Sequence, residues 1–447
     1  MKNAFVISSL NGIEYVYNYK YNVLQPKTIY RENVIEEIAK KYYEFPKPIN
    51  RSDYLLQSTQ EKHRCLNLVL TDNCNFRCNY CANSEMYLFS KGYKKQAMSN
   101  EVIEKAVSLY ITNYRKQIQV DPNLKFIIMF YGGEPLLEFD KIKYTVELVA
   151  KNQDILPVYT ITTNGSLVTG EMLSFFKENN FLINVSMDGY KEIHDLNRRT
   201  KDGKDTFHKV VENYYKLYDF LGKDSVGVIT TFDTQVSPMK LYEFYSSNPK
   251  IDQGLKRVAS VGTINTSYYN NIVPYSNYQE ELYELYRMIK SGDQTCFLQQ
   301  LYNNKFVKMY SRKEYYDKTY AICSPISAKL TVSVDGNLHI CEKINENYPI
   351  GNVESGLNKN IAYDYYEQLI NLRKNKCANC EIRNLCEPCF AMIHRGGDSF
   401  QIMEEECKAN KLGVISMLEN YCTFLDRGNW PDKFDTTVNN GLRDKLL

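Results

Sequence analysis

The chain has 447 residues, 43% of them hydrophobic, and a net charge of +2, which is an ordinary composition for a folded protein. This length allows a large core and more than one domain, and the near-neutral charge favours neither nucleic acid nor an anionic membrane as a partner. The N-terminus lacks the apolar segment and cleavage site of a signal peptide, and no apolar run reaches the ~18 residues of a membrane span. We therefore expect a cytoplasmic protein.

The thirteen cysteines are the most informative feature of the composition. Disulfide-dense chains are typically small and secreted, whereas closely spaced cysteines in a long chain indicate metal binding. The odd number also argues against complete pairing. The sequence therefore predicts reduced, metal-binding cysteines.

Residues 1–60 precede the first cysteine motif. The alternating runs Phe5 to Ser8 and Tyr15 to Tyr19, around Asn11-Gly12, predict a hairpin, and residues Glu32 to Tyr43 predict a helix. A small sheet with an exposed edge can take up an extended peptide by strand addition. The alternative is a plain extension that caps the following domain.

A loop with three cysteines follows the apolar run that begins at Leu66. Cys74, Cys78 and Cys81 have a CxxxCxxC spacing and polar neighbours, which argues against three cysteines buried as small hydrophobic residues. Structural zinc takes four closed ligands, usually as paired CxxC units. Three thiolates can instead hold three irons of a [4Fe–4S] cluster and leave the fourth iron open for chemistry.

From Leu66 onward, short apolar runs alternate with helical patterns, which predicts an α/β fold with a parallel sheet. The six expected strands are Leu66 to Thr71, Phe126 to Tyr131, Val158 to Asn164, Ile183 to Asp188, Val226 to Asp233 and Lys256 to Ile264. Six units fall short of a closed eight-stranded barrel. In barrels of this kind the chemistry lies at the carboxyl ends of the strands.

Polar segments follow the first four expected strands, so they should meet at one end of the sheet. The cysteine loop follows the first, Gly132-Gly133-Glu134-Pro135 the second, and Asn164 and Ser186 lie at the ends of the third and fourth. Two glycines allow the backbone to approach a ligand closely, and the proline fixes the turn. Carbonyl groups and the Glu134 carboxylate are suitable acceptors for an ammonium group.

The CxxxCxxC spacing, with GGEP at the end of the next strand, resembles the radical S-adenosylmethionine (SAM) enzymes. The resemblance implies a partial (β/α)6 TIM barrel, with SAM bound at the open iron of the cluster held by Cys74, Cys78 and Cys81. It also implies roles for further residues. These are Gly132, Gly133, Glu134 and Pro135 at the SAM amino group, Asn164 and Ser186 at its ribose or carboxylate, Arg198 rather than Arg199 at its carboxylate, and Tyr80 near the adenine.

The C-terminal third carries seven further cysteines in two groups. The first has the pattern C-x₁₂-G-x₄-C and the second C-x₂-C-x₅-C-x₂-C followed by a distant cysteine. This arrangement resembles the SPASM domain of radical SAM maturases, although the last pair in that family is often C-x₃-C. For the second group alone, a zinc site is the alternative. The resemblance implies two auxiliary [4Fe–4S] clusters, an outer one on Cys377, Cys380, Cys386 and Cys407 and an inner one on Cys323, Cys341 and Cys389.

Three ligands leave one iron of the inner cluster open, unless Cys296 or another residue fills the position. In the sulfatase-maturing members of the family an extra cysteine follows the first by a few residues, and here SPISAKL follows Cys323 without one. An open iron can bind a substrate thiolate, because iron binds deprotonated sulfur tightly. The sequence therefore suggests a cysteine in the substrate.

Together these features predict a radical SAM peptide maturase that forms a cysteine thioether cross-link of the sactipeptide or ranthipeptide type. The expected partners are a precursor peptide with a leader sequence and cysteines, and an electron donor such as flavodoxin or ferredoxin. The expected divisions are a leader-recognition (RRE-like) element at 1–60, a radical SAM core at 61–290, a bridging and SPASM region at 291–422, and a tail at 423–447. Carbon–carbon cross-linking, epimerisation, formylglycine formation in a sulfatase, and a non-catalytic iron–sulfur or zinc scaffold that binds peptide are the alternatives.

Overall fold

The computed structural model describes residues 3–42, 51–53, 65–84, 92–260, 272–302, 329–343, 348–386, 400–402 and 404–426. Cys323 and Cys389, two of the three expected ligands of the inner cluster, lie outside these ranges. Within them, no helix combines the length and apolar character that crossing a membrane requires.

The N-terminal residues form a small antiparallel sheet followed by a helix. The strands are β1 (Ala4–Ser8), β2 (Glu14–Asn18) and β3 (Val23–Pro26), in that spatial order, and the helix is α1 (Glu32–Tyr42). The predicted hairpin and helix are therefore present. Gly12 has a φ of +81° in the turn between β1 and β2, a conformation that glycine adopts without a steric cost.

A larger sheet contains the six expected parallel strands in chain order. They are β4 (Leu66–Val69), β5 (Phe126–Tyr131), β6 (Pro157–Thr163), β7 (Leu182–Ser186), β8 (Val226–Phe232) and β9 (Leu255–Ser260). Each pairs with the next in a parallel register. The prediction of an α/β fold with a parallel sheet is confirmed.

Helices connect these strands and continue the chain after them. They are α2 (Asn100–Gln117), α3 (Phe139–Ala150), α4 (Gly170–Glu178), α5 (Lys191–Asn197), α6 (Phe207–Leu221), α7 (Pro238–Ser247), α8 (Pro249–Gln253), α9 (Tyr278–Lys290) and α10 (Cys296–Tyr302). Side chains cap several N-termini, as where Ser99 accepts from Val102 N and Thr169 from Met172 N.

Burial alternates along β5, β6 and β7, so this part of the sheet has one covered face and one more open face. In β5, Phe126, Ile128 and Phe130 are buried, whereas the alternate residues are only partly buried. Tyr110 of α2 packs on Phe126 with ring centroids 4.7 Å apart, which places this helix on the covered face. Met129 and Tyr131 therefore lie on the opposite, open face.

The C-terminal region extends the same sheet. Strands β10 (Leu330–Val332), β11 (Asn337–His339), β12 (Gly351–Asn352) and β13 (Gly356–Leu357) continue it beyond β4. β10 is parallel to β4, with Thr331 beside Asn67, and the other three strands are antiparallel. Helices α11 (Lys359–Cys377) and α12 (Glu404–Asp426) follow.

The first and last described elements are in contact. Tyr15 OH donates to Asp426 Oδ1 over 2.8 Å, and Leu10 N donates to Thr423 Oγ1 over 2.8 Å. The expected divisions at 60, 290 and 422 stay a prediction, and the last of them falls inside helix α12.

Candidate functional site

The cysteine loop after β4 is held by backbone hydrogen bonds on both sides. On one side Gly133 N donates to Thr71 O over 2.8 Å and Glu134 N donates to Asn73 O over 2.9 Å. On the other side Arg77 N donates to Arg199 O over 2.8 Å, and Phe76 forms a β-bridge with Thr200. The loop therefore lies between the segment after β5 and the segment after α5.

Gly132 and Gly133 leave no room for a side chain, because both lie against the backbone of the residues just before Cys74. A Cβ atom at Gly132 would lie 2.4 Å from Thr71 O, and one at Gly133 would lie 2.2 Å from Asn73 O. Gly132 also has a φ of +144°. We expected the two glycines to allow close approach to a ligand. In the structure they allow close approach to the backbone that precedes Cys74.

The three thiols of the loop influence one another. Burial raises the pKa of Cys74 to about 12, opposed by the Phe76 N–H that donates to its sulfur, and the charge of Cys81 raises it further. Burial also raises the pKa of Cys78. The Arg198 cation opposes this rise, and the charges of Cys81 and Cys74 add to it. The structure thus brings the CxxxCxxC residues together in a largely buried loop.

The donor set of this loop fits an iron–sulfur cluster. Its three candidate ligands are all cysteines, and thiolates are the groups that hold such clusters. Among the residues described, no group of three His, Cys, Asp or Glu side chains is arranged to hold a single metal ion. Cys74, Cys78 and Cys81 would be the residues that hold such a cluster.

The Glu134 carboxylate is buried and connects two strand ends. Its Oε1 accepts from Leu136 N over 3.0 Å and from Thr163 Oγ1 over 2.6 Å, and its Oε2 accepts from Asn164 N over 2.7 Å. Burial raises its pKa, and these three donors oppose the rise. Since a carboxylate has about four acceptor positions, only about one remains for a ligand ammonium group. Pro135, also buried, begins a short 3₁₀ helix, Pro135–Glu138.

Asn164 belongs to a polar network that reaches the cysteine loop. Its Nδ2 donates to Asn75 Oδ1 over 2.8 Å, and its Oδ1 accepts from Ser166 N and Ser166 Oγ. Asn75 Nδ2 in turn donates to Ser166 Oγ over 2.9 Å. Ser186 is half-buried at the carboxyl end of β7, at the same end of the sheet.

Arg198 and Tyr80 meet at a buried carboxylate that we did not single out from the sequence. Arg198 Nε donates to Asp188 Oδ2 over 2.8 Å, and the Tyr80 hydroxyl donates to the same oxygen. Arg198 Nη1 lies 3.9 Å from Cys78 Sγ, whereas the half-exposed Arg199 binds Asp195 O. The available signal for Asp188 was its position in Ser186-Met187-Asp188-Gly189, a polar residue before a glycine at a strand end.

Four cysteines of the C-terminal region form a second group. Burial raises the pKa values of Cys377, Cys386 and Cys407, and each of these thiols is influenced by at least one other cysteine of the group, which also includes Cys380. Arg373, buried in α11 one turn before Cys377, opposes the rise at Cys377 and Cys386. The residues expected to hold the outer cluster are therefore neighbours.

Cys341 follows β11 and lies beside a buried ion pair. Its sulfur donates to Glu342 Oε2 over 3.5 Å, and Lys329 Nζ lies 3.1 Å from Glu342 Oε1. Burial raises the pKa of Tyr131, and the charges of Glu342, Cys81 and Cys341 reinforce the rise. Cys81 of the CxxxCxxC loop and Cys341 thus both influence Tyr131.

Comparison with known proteins assigns a family to the region that contains Cys74, Cys78 and Cys81. Residues 68–236 match the radical SAM superfamily, a range that includes the three cysteines, the GGEP loop and Arg198. The chain contains a radical SAM domain.

Similarity to individual proteins extends well beyond this radical SAM domain. The radical SAM cyclopropyl synthase TigE of Paramaledivibacter caminithermalis is 26% identical over 382 residues, 81% of this chain and 75% of that protein. The cysteine-type anaerobic sulfatase-maturating enzyme of Clostridium novyi is 25% identical over 336 residues, 71% and 84% respectively. The solved structure of native anSMEcpe with bound AdoMet has the same fold, with a TM-score of 0.60 and 21% identity over 81% of this chain and 97% of that one.

Proposed function

We propose that this chain is a radical SAM enzyme that modifies a ribosomally made precursor peptide by forming a cysteine thioether cross-link. The observation that carries the proposal is the meeting of the CxxxCxxC loop with the GGEP segment, through Gly133 N to Thr71 O and Glu134 N to Asn73 O. SAM bound at the reduced cluster would supply a 5′-deoxyadenosyl radical, the reactive group that the protein itself cannot provide.

The chain's own residues would bind and orient SAM. The carbonyl groups of the glycine pair and the remaining acceptor position of Glu134 suit the amino group, and Arg198 suits the carboxylate. Asn164 and Ser186, at adjacent strand ends, suit the ribose or carboxylate. Tyr80, whose ring lies 5.3 Å from the Arg198 Cζ, would border the adenine.

A peptide substrate is supported by the relatives and by the N-terminal element. Relatives named as anaerobic sulfatase-maturating enzymes match up to 71% of this chain. The sheet formed by β1 to β3 also has edges of the kind that bind extended peptides. The open face of the large sheet, on which Met129 and Tyr131 lie, would receive the residue that is modified.

Thioether formation is supported by the cysteine pattern. Three ligands for the inner cluster, of which Cys341 lies beside the Glu342 carboxylate, leave an iron that could hold a substrate thiolate. The C–H bond would lose its hydrogen atom to the deoxyadenosyl radical, the S–H bond its proton to solvent, and a C–S bond would form. One electron would remain for an external acceptor such as flavodoxin or ferredoxin, and the C-terminal cysteines would hold clusters of the kind that can carry it there.

Formylglycine formation in a sulfatase is the second candidate, favoured by the match to sulfatase-maturating enzymes. It differs in its product, because the side-chain sulfur of a cysteine is replaced by oxygen instead of being retained in a cross-link. The mass of the product therefore separates the two.

The test uses anaerobically reconstituted protein with SAM and dithionite. The substrates are a cysteine-containing peptide encoded beside the gene and a synthetic peptide carrying a sulfatase active-site sequence. The proposal predicts that the first loses two hydrogen atoms per cross-link, keeps its sulfur and becomes resistant to thiol alkylation. Conversion of only the second peptide would favour sulfatase maturation, and absence of SAM cleavage with either would support a non-catalytic scaffold.

A further inference from the structure

The Asp188 carboxylate is fully buried and receives three hydrogen bonds. Its Oδ2 accepts from Arg198 Nε over 2.8 Å and from the Tyr80 hydroxyl, and its Oδ1 accepts from Thr231 N over 3.1 Å. No part of the Asp188 side chain is exposed. Because the donors come from three separate segments, the carboxylate has a fixed orientation.

This orientation fixes the guanidinium group of Arg198. The group is planar, so the bond from Nε to Asp188 also sets the direction in which Nη1 points. Nη1 lies 3.9 Å from Cys78 Sγ, and only 9% of the Arg198 side chain is exposed. The cation therefore contacts a cluster cysteine on one edge and the aspartate on another.

The backbone of both residues is tied to one neutral histidine. Asp188 N donates to His194 Nδ1 over 3.4 Å, which leaves the proton on Nε2, and Nε2 contacts Thr206 Oγ1 over 3.1 Å. The Thr206 hydroxyl donates to Arg198 O over 2.5 Å. This chain of contacts fixes the spacing between Asp188 and Arg198 independently of their own ion pair.

We propose that Asp188 is a positioning residue, which holds Arg198 against the Cys78 sulfur so that the guanidinium raises the reduction potential of the radical SAM cluster. The inference rests on the proposed function, since it requires a cluster on Cys74, Cys78 and Cys81. Reduction adds one negative charge to a cluster. A cationic donor at a ligand sulfur stabilises the reduced form, and hydrogen bonds to the sulfurs are among the features that set such potentials.

The direction in which the reduction potential changes distinguishes a positioning role of Asp188 from an effect of its negative charge alone. If Asp188 acted only through its own negative charge, Asp188→Asn would make the potential less negative. If it acts by holding Arg198, Asp188→Asn releases the guanidinium and makes the potential more negative, as Arg198→Gln does.

The test is an EPR-monitored redox titration of the reconstituted full-length protein. The cluster signal is assigned by its loss in the Cys74→Ala, Cys78→Ala, Cys81→Ala variant. We expect more negative potentials for Asp188→Asn and Arg198→Gln, and a wild-type potential for Asp252→Asn, which replaces a buried carboxylate of α8 that accepts from Cys296 N and Phe297 N. An unchanged or less negative potential in Asp188→Asn, or an equal shift in Asp252→Asn, would overturn the inference.

A double-mutant cycle gives a second test, because the variant that carries both substitutions has no buried charge without a partner at this site. In the Arg198→Gln background, Asp188→Asn should no longer lower the potential, and Arg198→Lys should lie between wild type and Arg198→Gln. The inference fails if Asp188→Asn shifts the potential in the same direction in both backgrounds, or if Arg198→Lys matches Arg198→Gln. A wild-type protein without a signal that depends on the three cysteines would overturn the proposed function as well.

Discussion

At the scale of single residues, the site is built by backbone contacts that leave no room for a side chain. Gly133 lies against Asn73, so its missing Cβ allows the GGEP segment to form two hydrogen bonds with the residues that precede Cys74. The position of the first cluster cysteine therefore depends on a residue that contributes no functional group.

Gly133→Ala should displace the cysteine loop, because the new Cβ would lie 2.2 Å from Asn73 O and 2.6 Å from Asn73 C. We expect a loss of about 3 kcal/mol in unfolding free energy, at the upper end of typical overpacking costs, together with reduced iron incorporation. Urea unfolding and iron analysis measure the two effects. Gly170→Ala is the matched control, since nothing lies within 4 Å of its Cβ position. Equal behaviour of the two variants would contradict the packing role of Gly133.

His194 predicts a specific pH dependence. Burial lowers its pKa to about 4 from an ordinary 6.5, although Asp188 opposes this, so the unfolded chain binds a proton that the folded chain does not between these values. His194 therefore contributes stability that is present above pH 6.5 and is lost as the pH falls toward 4. Between pH 7 and pH 5 the wild type should lose roughly 2 kcal/mol more than His194→Gln in urea unfolding. Parallel losses in both proteins would show that His194 remains exposed to protonation when folded.

Residue roles of this kind were only partly predictable from sequence. The CxxxCxxC cysteines and the glycine pair stand in recognisable spacings, the family resemblance implied Arg198, and the structure brings these residues to one end of the sheet. A strand-end position was a weak local signal for Asp188, but its partner Tyr80 and the Asn75 partner Asn164 lie more than 80 positions away in sequence. Their identification needed the folded chain.

At the scale of secondary structure, hydrophobic pattern and strand ends determine the site. The six expected parallel strands are present, with their first residues within one position of the prediction, because apolar runs bounded by turns leave little choice of register. Strands β10 to β13 were not predicted, since two or three residues cannot display an alternating pattern. They extend the sheet beside β4, and Cys341 follows β11 by two residues.

The Lys329–Glu342 pair joins the residues that flank the added β10–β11 hairpin, and Asn67 Nδ2 of β4 donates to the same Glu342 carboxylate. Lys329→Met should leave the Glu342 carboxylate, which is only 7% exposed, without its cation. We expect a loss of about 3 kcal/mol in unfolding free energy, which is near the lower limit for buried pairs because Lys329 is one-third exposed. Lys329→Met with Glu342→Gln should recover most of that loss, because a neutral amide can still accept from Asn67. Urea unfolding measures both, and a double variant no more stable than the single one would refute this account.

At the scale of the whole molecule, the two candidate cysteine groups and the N-terminal sheet form one connected structure. Helix α12 carries Cys407 near its start and contacts the N-terminal sheet near its end, where Asp426 binds Tyr15. Cys81 of the radical SAM domain and Cys341 both contribute to the raised pKa of Tyr131. One helix therefore connects the N-terminal sheet to Cys407, one of the cysteines expected to hold the outer cluster.

The most direct test of the central claim is the formation of 5′-deoxyadenosine by reconstituted protein with SAM and dithionite. The wild type is compared with the Cys74→Ala, Cys78→Ala, Cys81→Ala variant, and the iron content of both is measured. Three [4Fe–4S] clusters predict about twelve irons and product formation in the wild type, and about eight irons without product in the variant. A variant that still cleaves SAM, or a fully loaded wild type that does not, would contradict a radical SAM site at these cysteines.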